Sequence, residues 1–235
     1  MILETIRQEA KAFGVDLSED QAVQFDRYFH LLAEWNEKIN LTAITEEQEV
    51  RIKHFLDSLS GAKYMRLEDR ISVADIGTGA GFPGMALAIA FPKVHFTLMD
   101  ATGKKVRFLQ MVSDTLGLKN VTAVQGRAEE LAHDPAYREK FDIVTSRAVA
   151  SLPVLLEYCA GFVKKGGVIA AYKGPSLDEE LALARTAVPK LHLELKQKEE
   201  IRIGDHSHTI AVFEKKKALE ERYPRPHAQI RKKSL

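Results

Sequence analysis

The stretch Val73-Ala-Asp75-Ile-Gly77-Thr-Gly79-Ala-Gly81-Phe-Pro83-Gly84 constrains the fold of this chain more than any other segment. Its first half is a short apolar run, read as a buried strand, and its second half is a glycine-rich turn that feeds a helix. Glycine lacks a Cβ and reaches positive φ, so such a turn lets a ligand approach the backbone where the first amides of a helix are unpaired. A unit of this kind belongs to an open, mostly parallel α/β sheet, whose ligands bind beyond the carboxyl ends of the strands.

Asp75, two residues before the first glycine, selects among ligands. A carboxylate there repels a pyrophosphate but accepts a hydrogen bond from a cationic amino-acid ammonium. The inferred cofactor is S-adenosylmethionine, which carries an ammonium and a sulfonium and has no phosphate. The competing ligand is a dinucleotide, because Gly79-Ala-Gly81-Phe-Pro83-Gly84 also matches G-x-G-x-x-G and Asp100 follows about twenty residues on. Asp75 before the loop, the G-x-G-x-G spacing from Gly77 and the lack of a second substrate domain favour the methyl donor. A tight turn with no ligand is the bland alternative; three glycines and an acid converging on one turn speak against it.

At 235 residues the chain has the length of one α/β domain with an extension, and its formal charge of +1 makes nucleic-acid binding a matter of local patches. One cysteine, Cys159, excludes an intramolecular disulfide and fits a reducing cytosol; its apolar neighbours Leu155, Leu156 and Phe162 mark it as a packing residue. No apolar run approaches the roughly 20 residues a bilayer demands, so a cytoplasmic protein without a membrane partner is expected.

Three regions are expected: a helical extension over 1–68, a methyl-donor-binding domain over 69–216 and a basic tail over 217–235. In the first, Ser18-Glu-Asp-Gln21 is a capping box opening a helix to about Ile39, with Phe25, Phe29, Leu32, Trp35 and Ile39 on one stripe. Thr45-Glu-Glu-Gln48 predicts a second capping box. Strands are expected at 71–76, 95–99, 121–124, 141–145, 168–172, 193–203 and 209–213. Helices are expected at 83–90, 104–116, 152–163 (stopped by Gly166-Gly167) and from Ser176 to about Pro189. The polar turn Gly204-Asp-His-Ser-His208 joins the last two strands, which suggests an antiparallel edge.

Asp100 ends the second strand, where a carboxylate can accept from both ribose hydroxyls; a helix N-cap is the plain alternative. The third strand leads into Gly126-Arg127-Ala128-Glu129, a loop placed to read an adenine edge, with Glu129 equally plausible as a first-turn acid. The fourth ends at Thr145-Ser146-Arg147-Ala148. No Pro-Pro-aromatic clamp for an exocyclic amine stands there, and no cysteine for covalent attack on a pyrimidine. An arginine does, with Lys173 at the end of the next strand. Two cations at one mouth favour a phosphate-bearing substrate over two solvated loop charges. The run Lys215-Lys-Lys217, with Arg222, Arg225 and Arg231-Lys-Lys233, reads as an RNA-binding tail or as a disordered, solubilising end.

Taken together, these residues resemble the RsmG (GidB) family of bacterial small-subunit ribosomal RNA methyltransferases. The likeness runs through Trp35-Asn36, Asn40-Leu41-Thr42, His54, Leu56-Asp57-Ser58-Leu59, the glycine loop, Arg127-Ala128-Glu129, Ser146-Arg147-Ala148 and Tyr172-Lys173-Gly174. It implies a Rossmann-like class I S-adenosylmethionine-dependent methyltransferase fold: a mostly parallel seven-stranded sheet with a C-terminal antiparallel hairpin and an N-terminal helical extension. It also implies methylation of N7 of one guanine, nucleotide 527, in the 16S rRNA of the small ribosomal subunit. Cofactor contacts would fall on Gly77, Gly79, Phe82, Ala128, Glu129 and Arg147, no metal is called for, and a monomer is the expected form. The chain departs from the family at Ala101-Thr102-Gly103, and at Ala228, Ile230 and Ser234, where the family tail has Gly, Pro and Pro.

N7 of guanine carries an in-plane lone pair and no proton, so the transfer asks for alignment and not for a general base. Arg147 and Lys173 are expected to position RNA and to do no proton chemistry. A nucleotide-dependent dehydrogenase and a non-catalytic ribosome assembly factor are the other classes to be distinguished.

Overall fold

The structure is a computed structural model and describes residues 2–235. Helices α1 (Ile2–Ala10) and α2 (Glu19–Ile39) open the chain. The first capping box forms as expected: Gln21 N donates to Ser18 Oγ at 3.2 Å and Ser18 N donates to Gln21 Oε1 at 2.8 Å. The second does not. Helix α3 (Glu47–Val50) starts from the extended backbone of Glu46 with no side-chain cap, and Glu47 and Glu49 put negative charge in its first turn. It continues through a π-helical segment, Arg51–Leu56, into α4 (Asp57–Ser60). The wider turn buries three successive side chains, His54, Phe55 and Leu56.

From Ser72 the chain alternates strands and helices: β1 (Ser72–Ile76), α5 (Gly84–Ala90), β2 (His95–Asp100), α6 (Gly103–Leu116), β3 (Val121–Gln125), α7 (Ala128–Leu131), β4 (Phe141–Arg147), α8 (Leu152–Ala160) and β5 (Val163–Lys173). Then come α9 (Leu177–Leu183), α10 (Ala187–Lys190), the hairpin β6 (Leu193–Ile203) and β7 (His206–Lys215), and α11 (His227–Lys232). The sheet order is β3-β2-β1-β4-β5-β7-β6, parallel as far as β5 and antiparallel at β7 and β6. The order reverses between β1 and β4, which places the switch point where Asp75 pairs in register with Thr145.

Strand alternation splits the apolar residues into two cores. Val73, Phe96, Leu98, Ile143 and Tyr172 face one layer shared with α5, α6 and the N-terminal helices. Ala74, Met99, Val144, Ile169 and Ala171 face the other, with α8 and the C-terminal segment. The N-terminal helices therefore share their core with the sheet.

Several boundaries differ from expectation for physical reasons. Gly166-Gly167 does not stop a helix; α8 ends at Ala160, and the glycines lie inside β5 with Gly166 at φ 80. They sit where the pairing with β4 slips between Phe141 and Ile143, a bulge that brings the chain against Asp142 O, only 2.6 Å from where a Gly167 Cβ would stand. The single helix expected after Ser176 is two, and Ser176 Oγ bonds Glu180 instead of capping. The hairpin turn shrinks to Gly204-Asp205, so His206 and His208 are strand residues on one face. Lys215, expected in an RNA-binding charge run, is fully buried and donates to Glu139, Ala160 O and Val163 O. The chain from residue 219 onward is docked, with Leu219, Tyr223 and Ile230 buried. Among the described residues no helix is long and apolar enough to cross a membrane.

Candidate active site

The glycine loop hangs between two carboxylates. Gly77 and Thr78 donate to Met99 O at 2.9 and 3.1 Å, which ties the loop to β2. Gly79 N donates to Asp100 Oδ2 at 3.0 Å, and Thr102 N to Asp100 Oδ1 at 2.8 Å. Gly84 N donates to Asp75 Oδ2 at 2.8 Å, and Thr145 Oγ1 to Asp75 Oδ1 at 3.1 Å. Gly77, Gly79 and Gly81 all hold positive φ, at 68°, 62° and 103°.

Asp75 is thus not open to a ligand. It is fully buried beneath the loop, with both oxygens engaged, because a carboxylate at a central strand end is the nearest acceptor for the first amide of α5. Asp100 is not the N-cap of α6, a position that falls on Thr102 with no side-chain bond; its carboxylate braces the preceding turn by accepting from Thr102 N, and the residue lines a cavity. That cavity, about 320 Å³, is walled by Gly77, Asp100, Gly126, Ala128, Glu129 and Ala148 among others. The structure therefore brings Gly77, Asp100, Ala128 and Glu129 together.

Phe82 and Arg147 stand elsewhere. The Phe82 ring lies between the N-terminal helices and β4, stacked on His54 at 4.5 Å and Tyr28 at 5.4 Å, with the Arg147 guanidinium 5.3 Å above it. Arg147 lines a second cavity of about 450 Å³, together with His54, Tyr172, Lys173, His206 and His208. The two cavities share Ala148, which adopts a left-handed φ of 57°. Such a backbone in a non-glycine residue costs of order 1–3 kcal/mol and persists where surroundings fix it.

Neither cation at this mouth is free. Arg147 NH1 donates to Asp57 Oδ2 at 2.6 Å and to Lys53 O at 2.9 Å. Lys173 Nζ donates to Ala150 O at 2.9 Å and pairs with Glu180 at 2.7 Å. Asp57 also receives His206 Nε2 at 2.9 Å, and His208 Nδ1 lies 2.8 Å from the same oxygen, off the hydrogen-bond axis. These three side chains place ligand atoms within 4.8 Å of one another, as a metal would need. The carboxylate is already held by a fixed guanidinium, which opposes a dication, and we describe the cluster as a hydrogen-bonded network. Sequence reading gave Asp57, His54 and His206 no role. The alternation His206-x-His208 on one strand face was the available signal.

Burial and the Arg147 guanidinium push the His54 imidazole down to about 4. Burial pushes the Asp75 carboxyl up to about 6, against the hydrogen bonds from Gly84 N and Thr145 Oγ1. The two act oppositely on stability. Below its ordinary value of 6.5, unfolded His54 takes up a proton that the folded residue refuses, so stability is lost as pH falls from 6.5 to about 4. Folded Asp75 takes up a proton near pH 6 while the unfolded carboxyl stays ionised to about 3.8, so stability is gained as pH falls. Urea midpoints measured from pH 4 to 7 should show His54→Gln gaining about 2 kcal/mol on the parent towards pH 4, and Asp75→Asn losing a similar amount. Profiles parallel to the parent would contradict both assignments.

The strand order, the glycine loop at the switch point and the antiparallel C-terminal hairpin define a class I S-adenosylmethionine-dependent methyltransferase fold. Solved structures share it at low identity. A chain solved with the Haloferax volcanii Trm112 methyltransferase activator superposes with a TM-score of 0.59 at 16% identity, covering 79% of this chain and 98% of that one. TYW2 of M. jannaschii in complex with AdoMet gives 0.51 at 18%, covering 68% and 76%. The chain belongs to the GidB family, rRNA small subunit methyltransferase G, whose model matches residues 21–208. Relatives named ribosomal RNA small subunit methyltransferase G include that of Alkaliphilus metalliredigens, 45% identical over 98% of this chain and 97% of its own. That of Lactococcus lactis is 46% identical over 91% and 90%.

Proposed function

We propose that the protein transfers the methyl group of S-adenosylmethionine to N7 of guanine 527 in the 16S rRNA of the small ribosomal subunit. One observation carries this reading: a carboxylate-lined cavity beside the glycine loop meets a second cavity, lined by Arg147, Lys173 and three histidines, at the single residue Ala148. Family membership and the relatives' names supply the ribosomal RNA.

The residues of the first cavity fit the donor. Asp100 and Glu129 present carboxylates, Gly77 lines the cavity with backbone alone, and the volume lies in the range of small-ligand sites. A pyrophosphate fits worse, since the amides of Gly79 and Gly84 are already given to Asp100 and Asp75. Bound S-adenosylmethionine would supply an electrophilic methyl on a positively charged sulfur. The task of this chain is then positional: Gly77, Asp100, Ala128 and Glu129 hold the donor, and the Arg147–Asp57 pair fixes the wall on which the purine settles. Guanine N7 bears no proton, so no side chain need act as base. Arg147 and Lys173, each held by a carboxylate, orient the acceptor and exclude water. Exposed Arg222, Arg231, Lys232 and Lys233 offer charge for RNA phosphates, and Lys215 does not.

The test is a labelled methyl-transfer assay on 30S subunits from cells lacking this protein, with the product mapped. Label on N7 of guanine 527 is the expected result. Donor binding without transfer would favour an assembly factor, and binding of NAD in its place would favour a dehydrogenase.

A further inference from the structure

One wall of the first cavity comes from outside the strand-end loops. It is made by Tyr158, on α8, and His227, at the first position of α11 in the C-terminal segment. Tyr158 Oη lies 2.8 Å from His227 Nδ1, and the two rings are within 10° of parallel at a centroid separation of 6.4 Å. Glu129 Oε1, on the facing wall, is 3.6 Å from the same imidazole nitrogen. The segment that carries His227 is pinned just ahead of it. Fully buried Glu157 accepts from Arg225 N, Nε and NH2 at 3.0, 2.8 and 2.7 Å, and Arg138 donates to Tyr223 O at 2.9 Å. Behind His227, Ile230 is buried. The imidazole itself stays about half exposed, at 45%, and lines the cavity.

We propose that His227 is a cofactor-binding residue that closes the adenosine end of the methyl-donor site, so that the C-terminal segment is part of that site and not solely an RNA-binding tail. The inference rests on reading this cavity as the donor site. Its position decides which end of the donor is touched. Asp100 and the Gly126–Glu129 loop follow β2 and β3, where an open α/β sheet receives a nucleoside. The acceptor cavity adjoins on the other side, across Ala148. His227 bonds Tyr158 and approaches Glu129, which places it at the β3 end, away from the transferred methyl. An imidazole held in plane by the Tyr158 hydroxyl offers a flat face for the purine and a ring nitrogen for its edge. No family motif falls on His227, and nothing in its sequence context marked it.

The test titrates S-adenosylmethionine and S-adenosylhomocysteine, calorimetrically, into the full chain and into His227→Ala and Tyr158→Phe. Both ligands carry the adenosine, so His227→Ala should weaken both by about tenfold. Tyr158→Phe should weaken both by a few-fold, and the double variant should be no worse than His227→Ala alone. At saturating donor, kcat should stay within about twofold of the parent while the donor KM rises. Unchanged affinities in His227→Ala, a loss confined to S-adenosylmethionine, or a loss of rRNA affinity with donor affinity intact would each overturn the proposal. If the parent chain bound neither ligand, the donor reading itself would fall.

Discussion

Asp57→Ala should lower stability by about 3–5 kcal/mol, the range for removing one partner of a buried charge cluster. The carboxylate is 4% exposed and is the only acid touching Arg147, His206 and His208 among the described residues. Burial alone would raise its pKa, but contacts from His206 and His208 and the Arg147 guanidinium outweigh it and hold the carboxyl well below the usual range. Its stabilising contribution is therefore present at neutral pH and is lost as pH falls through the ordinary aspartate value and below. Without it, a guanidinium that is 17% exposed is left facing two imidazoles with no counter-charge. For a chain of this size the melting point should fall by about 10 °C or more. Methyl transfer should drop by at least about 100-fold, because Arg147 no longer has a fixed place on the acceptor wall. Asp57→Asn keeps the shape and one acceptor, and should lie between parent and Asp57→Ala in both measurements. Thermal denaturation followed by circular dichroism decides the first half; a melting point within 2 °C of the parent would show that the cluster is not held by charge.

The same cluster explains why the fold was more legible than the site. The sheet could be read because it rests on local signals: the apolar strand ends at Asp75 and Asp100, the Ser18–Gln21 capping box, and Gly117 closing α6 in a left-handed conformation. The glycines were ambiguous where one residue serves two geometries, so Gly166-Gly167 read as a helix stop and forms a strand bulge. Side-chain direction was less accessible still. Asp75 was placed correctly at a strand end, but an alternation of faces does not say that its carboxylate will meet Gly84 N before any ligand. Arg147 and Lys173 were placed at one mouth, yet their partners Asp57 and Glu180 lie 90 residues before and seven after, on helices. Pairing over such distances is decided by packing, which periodicity does not encode. His227 gave no local signal at all.

The N-terminal helices are the element that joins these pieces. They bring Tyr28, His54, Phe55 and Asp57 onto the loop and onto β4, so that Phe82 is sandwiched by rings from two helices. Tyr28 Oη donates to Ala80 O at 2.5 Å from within the core. The glycine loop is thus clamped from outside the sheet as well as from Asp75 and Asp100, so its shape depends on the N-terminal helices and the sheet together.

Gly81→Ala tests that clamp. Gly81 sits at φ 103°, a conformation that L-residues rarely adopt, and an added Cβ would stand 2.4 Å from Tyr28 Oη and 2.9 Å from Met85 Cβ. Tyr28 cannot swing aside, since it is fully buried, stacked on Phe82 and packed at a tilt against Phe55. Backbone strain of about 1–3 kcal/mol adds to the loss of the buried Tyr28 hydrogen bond, about 1–3 kcal/mol. The expected total is about 3–5 kcal/mol, with S-adenosylmethionine affinity reduced by about tenfold or more as Gly79 is pulled from Asp100. Gly117→Ala supplies the control, because its φ of 68° is also left-handed but nothing lies within 4 Å of the new Cβ; it should cost about 1 kcal/mol and leave donor affinity unchanged. The clash and the strain separate in a double-mutant cycle with Tyr28→Phe. Removing Oη relieves the shortest of the contacts and leaves Met85 Cβ at 2.9 Å, so the double variant should be about 1–2 kcal/mol more stable than the two single losses predict. Strict additivity in urea denaturation would mean that backbone strain and the Met85 contact set the cost, and that Tyr28 of the N-terminal helices does not press on the loop.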